Sequence, residues 1–452
     1  MNPDWKIDTK KLYRERLDWL IHNIPTIQDY ADEIDDIFKA AKFEQSEYMQ
    51  WSGKLKSKIQ KEAENSWITS LSWSSQFLAT GSGKSKIAIN IINRGFNKLG
   101  EDLKVLIAVP TIKLRDKGWK AEFHRWNSDI VYESCVEMIC YDSLDTIKDK
   151  YYHLVVLDEG HNLTEDAADF FMPDWKNKID RCLLLSATKP SDMLKKRILN
   201  NLNLLNPSYE LSLDTAVKLR VVADYEVIML MMDMTKEERK MYDKFNSGKN
   251  KYSMFNLMNR MHFLYGLDSK QEVAKLLLKH VFPPELRLLI FCASKEQANQ
   301  VNAEATYYSK PTKPKKLDPT KEHTPKKLEK YKAQMGNYES ELNYYMGTTA
   351  LDKFELMDIN RLACVKALNE GHNIDNIDSG FIVQLNSKEL HFIQRIGRIL
   401  RMRANHTAKI IILVVRDSMD EIWAKKATIN VNQEKIKRVE LSDLRTNKIK
   451  LF

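Results

Sequence analysis

Ala79-Thr80-Gly81-Ser82-Gly83-Lys84-Ser85 is followed, after Lys86, by Ile87-Ala88-Ile89-Asn90-Ile91-Ile92, a glycine-rich turn giving way to a helical pattern. Glycine has no Cβ, so Gly81 and Gly83 let the backbone curl until its N–H groups converge on an anion. The helix N-terminus behind them adds positive potential, and phosphate is the natural occupant. Lys84 supplies a point charge for β- and γ-phosphates, while the Ser85 hydroxyl is placed to ligate Mg²⁺. The phosphate-binding set read from this stretch is Thr80, Gly81, Ser82, Gly83, Lys84 and Ser85. Leu78 departs from the usual form, in which Gly or Ala opens the loop. A loop of this kind joins a strand to a helix and commits its surroundings to α/β architecture.

Outward from the loop, short apolar runs recur at Val105–Val109, Leu154–Leu157, Leu183–Leu185, Leu288–Phe291, Phe381–Val383 and Ile410–Val415. They are strand-length, mostly non-alternating and rich in Val, Ile and Leu, as strands covered on both faces of a parallel sheet are. Helical patterns lie between them. The run Val155-Val156-Leu157 ends in Asp158-Glu159-Gly160-His161, two acids at the carboxyl end of a buried strand, where open α/β sheets bind ligands. Asp158 is read as a Mg²⁺ ligand through water, and Glu159 as the group that polarises an attacking water.

The chain has 452 residues, 43% of them hydrophobic, enough for more than one domain core. Its net charge of +9 leans toward polyanionic partners. Five cysteines without a Cys-x-x-Cys pair argue against a zinc or disulfide framework and for a reducing compartment. No apolar run approaches the roughly 18 residues of a membrane helix, and the start, MNPDWKID, has no secretory character, so a cytoplasmic chain with no membrane partner is expected. The expected organisation is a helical N-terminal extension at 1–50, one α/β lobe at 51–215, a second at 216–430, and a basic tail at 431–452. The seam near 205–225 is marked by Asn206-Pro207-Ser208. Within the second lobe, residues 310–346 read as a basic insertion between two strands. It carries Lys310, Lys313, Lys315, Lys316, Lys326 and Lys327, then Tyr331 and Tyr338, and is either a nucleic-acid clamp or a solvated loop.

Further motifs complete a series. Val109-Pro110-Thr111, Ser186-Ala187-Thr188, Leu368-Asn369-Glu370-Gly371-His372-Asn373-Ile374 and Gln394-Arg395-Ile396-Gly397-Arg398-Ile399-Leu400-Arg401 follow in order. With the phosphate loop and the Asp-Glu-Gly-His box, this series resembles that of the superfamily 2 helicases over about residues 55–415. The last motif is similar to that of the branch containing XPB, the phage helicase UvsW and the type III restriction translocases. The box also occurs in Snf-type remodellers, and the compact length resembles phage-encoded members.

The resemblance implies two tandem RecA-like domains, parallel sheets flanked by helices, that hydrolyse ATP with Mg²⁺ in a cleft between them. Gln60 stands where the family's adenine-reading glutamine lies, with Gly371 and Asn373 near the ribose; Asn373 replaces the Asp of many relatives. His161, Ser186, Thr188 and Gln394 would couple the nucleotide to the nucleic-acid track. Ser387 can cap a helix through Arg401 on which Gln394, Arg398 and Arg401, spaced four and three apart, share a face. Arg398 and Arg401 would reach the γ-phosphate and neutralise charge in the transition state. Pro110, Thr111, Tyr141 and Ser143 are candidates for the track. The implied activity is that of an ATP-dependent helicase or translocase, a monomer acting on single-stranded, forked or duplex DNA. The alternatives are a DNA-stimulated translocase or remodeller that does not separate strands, and an RNA helicase.

Overall fold

A computed structural model describes residues 8–112, 114–147, 149–169, 178–187, 189–190, 192–246, 253–301, 303–308, 324–346, 350–365, 377–385, 406–429, 431–445 and 450–452. Among them the chain divides into two compact units, the first running to Tyr225 and the second built mainly from Glu226 onward. No helix among the described residues is long and apolar enough to cross a membrane.

The first unit opens with helices α1 (Thr9–Asn23), α2 (Ala31–Ala41) and α3 (Gln45–Thr69). The side chain of Asp8 caps α1 by accepting from the Lys11 N–H at 3.1 Å. The apolar spacing seen in the sequence is the buried face: Leu17 and Leu20, then Ile34, Ile37 and Ala41. Helix α3 runs unbroken through the expected boundary at 50/51 and joins the extension to the lobe. Buried Trp67 on α3 donates its indole N–H to the Cys182 carbonyl at 2.9 Å.

Six strands follow: β1 (Trp73–Leu78), β2 (Val105–Val109), β3 (Val136–Cys140), β4 (Leu154–Asp158), β5 (Cys182–Ser186) and β6 (Pro207–Leu211). They form one sheet in the order β3-β2-β4-β5-β1-β6, with every neighbouring pair parallel. Leu106, Ala108, Val155, Leu157 and Leu184 enter one apolar cluster. Their alternates Val105, Ile107, Val109 and Val156 are equally buried, which is why these strands read as unbroken apolar runs. Strand β1 has no such signature. Ser74, Ser75 and Gln76 are buried within it, Gln76 donating to the Ala63 carbonyl at 2.6 Å and Ser74 to the Ser208 hydroxyl at 2.8 Å.

Two expected limits are corrected. Asn206-Pro207-Ser208 does not break the lobe. Pro207 starts β6, the edge strand beside β1, where a missing backbone N–H is tolerated. The expected boundary at 215/216 falls inside helix Leu213–Lys218, whose Ser212 cap accepts from Thr215 N at 3.1 Å.

The second unit holds β7 (Asp224–Met232), β8 (Leu288–Cys292), β9 (Ala305–Tyr308), β10 (Arg361–Val365), β11 (Ser379–Ile382), β12 (Thr407–Val415) and β13 (Ile436–Glu440), in the order β13-β7-β12-β11-β8-β10-β9. Pairs β13–β7, β12–β11, β11–β8, β8–β10 and β10–β9 are parallel. Leu288, Ile290, Phe381, Ile411 and Leu413 share its core. The run read as a basic tail supplies β13, paired with β7 from Ile436↔Val227 to Glu440↔Met231, and Leu451 is buried. The insertion lies between β9 and β10 as expected and includes helix Pro325–Met346; Lys310, Lys313, Lys315 and Lys316 lie outside the described residues.

A buried polar knot holds this unit together. The ammonium of Lys270, on helix Asp268–His280, pairs with Asp420 on helix Met419–Ala427 and donates to Gln384 Oε1 at 2.7 Å. Gln384 in turn donates to Asp420 Oδ1 at 2.6 Å and to the Leu385 carbonyl at 3.0 Å. Burial pulls the Lys270 pKa down while Asp420 opposes the shift. Removing one partner leaves a charge stranded in a low dielectric. Asp420→Ala is therefore expected to lower stability by about 3–5 kcal/mol, and Lys270→Met with Asp420→Leu to recover most of it, read by urea unfolding. A loss below about 1 kcal/mol in the single variant would contradict the knot's role.

Candidate nucleotide site

Parallel pairing puts the carboxyl ends of all six strands of the first unit on one edge, and the sequence motifs lie there. Read across the sheet they are Tyr141 after β3, Pro110-Thr111 after β2, Asp158 at the end of β4, Ser186 at the end of β5, and the 79–83 loop after β1. Register fixes the neighbours, with Asp158 opposite Leu185 and Ser186 opposite Phe77.

The loop takes the shape its glycines allow. Gly81 and Gly83 have φ of 88° and 94°, a region that L side chains rarely enter, and Gly83 caps helix α4 (Lys84–Leu99). Ser82 N–H donates to the Ala79 carbonyl at 3.2 Å, and Lys84 Nζ lies 3.4 Å from the Leu78 carbonyl. Ser85 is half-buried in the first turn of α4. Gln60 is brought to this loop. It is buried, and its Nε2 donates to the Ser82 carbonyl at 3.0 Å. A Cβ on Gly83 would lie 2.2 Å from that nitrogen, so the glutamine occupies the space that the missing side chain leaves.

Asp158 is 8% exposed and held by two donors. Trp119 Nε1–H reaches Oδ2 at 3.0 Å, and the Glu159 N–H reaches Oδ1 at 3.0 Å. Burial, reinforced by the neighbouring charge of Glu159, pushes its pKa up to about 7 against the opposing pull of Lys84 and of the two hydrogen bonds. Glu159 sits at φ 49°, ψ 51°, the left-handed region, and starts the turn Gly160–Asn162. His161 lies with Nδ1 3.1 Å from Ser186 Oγ and 3.5 Å from Glu159 Oε2, and its other ring nitrogen is 3.0 Å from Asn162 Nδ2. Burial lowers the His161 pKa and favours the neutral ring. The structure thus joins three expected residues, Glu159, His161 and Ser186.

Thr80 Oγ1, Ser82 Oγ and Glu159 Oε2 are buried without a hydrogen-bond partner among the described residues. Orphaned polar atoms of this kind are rare and costly in folded proteins. Together with a carboxylate driven toward neutrality, they fit a site completed by a phosphate chain and a hard cation. Ser85 and Asp158 are oxygen donors of the kind Mg²⁺ takes, and this ion normally draws the rest of its shell from phosphate and water.

Other expected residues are placed differently or not described. Tyr141 is not on the surface for nucleic acid: it is 4% exposed and donates its hydroxyl to the Asp158 carbonyl at 2.7 Å, bracing the end of β4. Ser143 is half-buried and its carbonyl accepts from the Thr146 hydroxyl. Pro110 and Thr111 are half-buried at the end of β2, and Thr111 Oγ1 accepts from Leu114 N at 3.3 Å. Thr188, Gly371, Asn373, Gln394, Arg398 and Arg401 lie outside the described residues.

Trp119 and Leu184 escaped the sequence reading, because their roles depend on distances that no local pattern encodes. A Cβ built on Gly160 would fall 2.4 Å from Leu184 Cγ, so only glycine leaves room between the two acids and the next strand. Gly160→Ala is expected to cost about 1–3 kcal/mol, and Leu184→Ala beside it to restore part of the loss, read by thermal unfolding. An unperturbed Gly160→Ala protein would contradict this packing.

Residues 54–191 match the family described as type III restriction enzyme, res subunit, and residues 272–403 match the helicase conserved C-terminal domain. No curated protein sequence matches the chain. Among solved structures, the chain is similar to the ATP-dependent type ISP restriction-modification enzyme LlaBIII bound to DNA, at 15% identity and a TM-score of 0.53, covering 84% of this chain and 31% of that one. A fragment of an HsdR subunit of a type I restriction enzyme from Vibrio vulnificus YJ016 matches at 14% and 0.52, over 85% of this chain and 68% of the other. Dbp5 of S. cerevisiae, bound to RNA and ADP BeF3, matches at 13% and 0.50, over 86% and 91%. The chain spans about a third of the LlaBIII chain and most of the length of the other two. At these identities the structural matches show the fold, two tandem RecA-like domains, and the two family matches on that fold support a superfamily 2 helicase.

Proposed function

We propose that this chain is an ATP-driven DNA translocase that hydrolyses ATP with Mg²⁺ and uses the cycle to move along DNA. The observation that carries the reading is the juxtaposition, on one edge of the sheet, of a glycine loop with Lys84, the buried Asp158, and the orphaned buried oxygens of Thr80, Ser82 and Glu159. DNA is favoured over RNA by the similarity of residues 54–191 to a restriction-enzyme subunit and by LlaBIII being bound to DNA. Dbp5, bound to RNA, supports RNA as the second reading.

In this reading the backbone N–H groups of the 80–85 loop cradle the phosphates, and Lys84 leaves the Leu78 carbonyl to bind the β- and γ-oxygens. Mg²⁺, held by Ser85 and, through water, by Asp158, supplies charge neutralisation when bound. Glu159 orients a water for in-line attack and takes its proton. Loss of the γ-phosphate changes the charge next to Glu159. The His161–Ser186 contact carries that change from β4 to β5. By the family resemblance, Arg398 and Arg401, which lie outside the described residues, are the fingers expected on the γ-phosphate, a contribution of about 10³–10⁵ in rate.

ATP hydrolysis stimulated by single-stranded, duplex or forked DNA more than by RNA is the expected outcome; an ATPase stimulated by RNA alone would overturn the DNA reading. Lys84→Ala is expected to weaken nucleotide binding. Glu159→Gln should bind ATP and hydrolyse it at least about 10²-fold more slowly. Arg401→Ala should bind normally and turn over slowly. Normal turnover by Glu159→Gln would remove that residue from its role.

A further inference from the structure

Trp119 connects the metal-ligand candidate to the protein surface. Its indole is 2% exposed and holds Asp158 Oδ2 at 3.0 Å from a segment 39 residues earlier in the chain. The residue opens helix α5 (Trp119–Arg125) directly after a π-helical turn, Leu114–Gly118. That turn is anchored to the end of β2: Leu114 N–H donates to Thr111 Oγ1 at 3.3 Å and Arg115 N–H to the Thr111 carbonyl at 3.1 Å. Its outer face is open to solvent and carries Lys117 and Asp116, the latter accepting from the half-exposed Arg115 at 2.7 Å, with Lys120 exposed one residue past Trp119, so the face keeps a net positive charge.

A π turn is wider and less stable than the α form, and such turns are rare outside functional sites. Conversion of one π turn to α geometry removes a residue from the turn and rotates the helix beyond it by about 100°. Trp119 is the first residue to be carried round. Its N–H would then leave Asp158, and the carboxylate would keep one donor of two. The basic outer face is where a phosphodiester backbone would press on the turn.

We propose that Trp119 is a positioning residue for the Asp158 carboxylate, and that the turn Leu114–Gly118, hung on Thr111, transmits nucleic-acid binding to it. The proposal rests on the reading of Asp158 as a Mg²⁺ ligand and adds the element by which the track reaches that ligand. Asp158 keeps its rotamer when the turn is π and the indole is seated. Nucleic acid on Arg115 and Lys117 stabilises that arrangement, so Mg²⁺ binds a preset oxygen.

The test uses the full chain and the fluorescent nucleotide N-methylanthraniloyl-ATP, titrated with Mg²⁺ with and without single-stranded DNA, beside an EDTA control. Trp119→Phe keeps the ring packing against Phe123, whose centroid is 6.1 Å away, and deletes the N–H. The expected result is a parent protein whose Mg²⁺ half-point falls on adding DNA, and a Phe variant with a half-point about tenfold higher, unchanged nucleotide binding in EDTA and no such fall; a parent half-point unmoved by DNA overturns the transmission. Trp119→His, which returns an N–H donor, is expected to recover part of the shift and serves if the Phe variant does not fold. A Phe variant with the parent's half-point while Asp158→Asn shifts it overturns the positioning role. Equal weakening in EDTA does so too, since it marks a packing defect. Persistence of the DNA effect in the Phe variant overturns the transmission. If Asp158→Asn itself leaves the half-point unmoved, the metal reading falls and this inference with it.

Discussion

A carboxylate taken out of water at the end of a buried strand is the constraint on which the rest of the first unit depends. Asp158 is desolvated, flanked by a second acid and pushed toward neutrality. An arrangement of this kind persists in a fold only when something else compensates it. Trp119, the Glu159 backbone and the Lys84 charge compensate it in part, and a hard cation with its phosphates would complete the set. The left-handed backbone of Glu159 and the close packing of Leu184 against Gly160 are the local strain and packing that bring the two acids to the edge of the sheet.

Parallel pairing turns this local arrangement into a site. In the order β3-β2-β4-β5-β1-β6, the motifs spread from Gln60 to Ser186 are drawn to one edge without any of them being close in sequence. Strand β5 lies between the carboxylates and the phosphate loop, so its last residue, Ser186, is the natural bridge to His161. The second unit repeats the parallel plan with a different internal brace, the Lys270–Gln384–Asp420 knot, which ties two helices to the segment after β11.

Much of this was legible in the sequence where chemistry resides in residue type and spacing. Gly81, Gly83, Lys84, Asp158 and Glu159 declare their surroundings because few other folds use them together in that order. The strands β2, β4, β5, β8 and β12 declared themselves by burial on both faces. Strand β1 did not, since its Ser74, Ser75 and Gln76 satisfy hydrogen bonds that only the folded neighbours provide. The C-terminal run looked like a tail because Lys437 and Arg438 point outward from an edge strand. Tyr141 shows the limit of motif matching: the match places a residue after a strand, while burial decides whether it meets a ligand or, as here, the protein's own backbone.

The central claim is that Mg²⁺ and nucleotide complete the Lys84–Asp158–Glu159 cluster. A crystal structure of the chain with ADP, Mg²⁺ and aluminium fluoride tests it most directly. The expected density has the fluoride within hydrogen-bond reach of Lys84 Nζ, the cation on Ser85 with Asp158 reached through water, and a water between Glu159 and the aluminium. Nucleotide bound elsewhere, or Lys84 still resting on the Leu78 carbonyl with the 80–85 loop empty at saturating ligand, would contradict it.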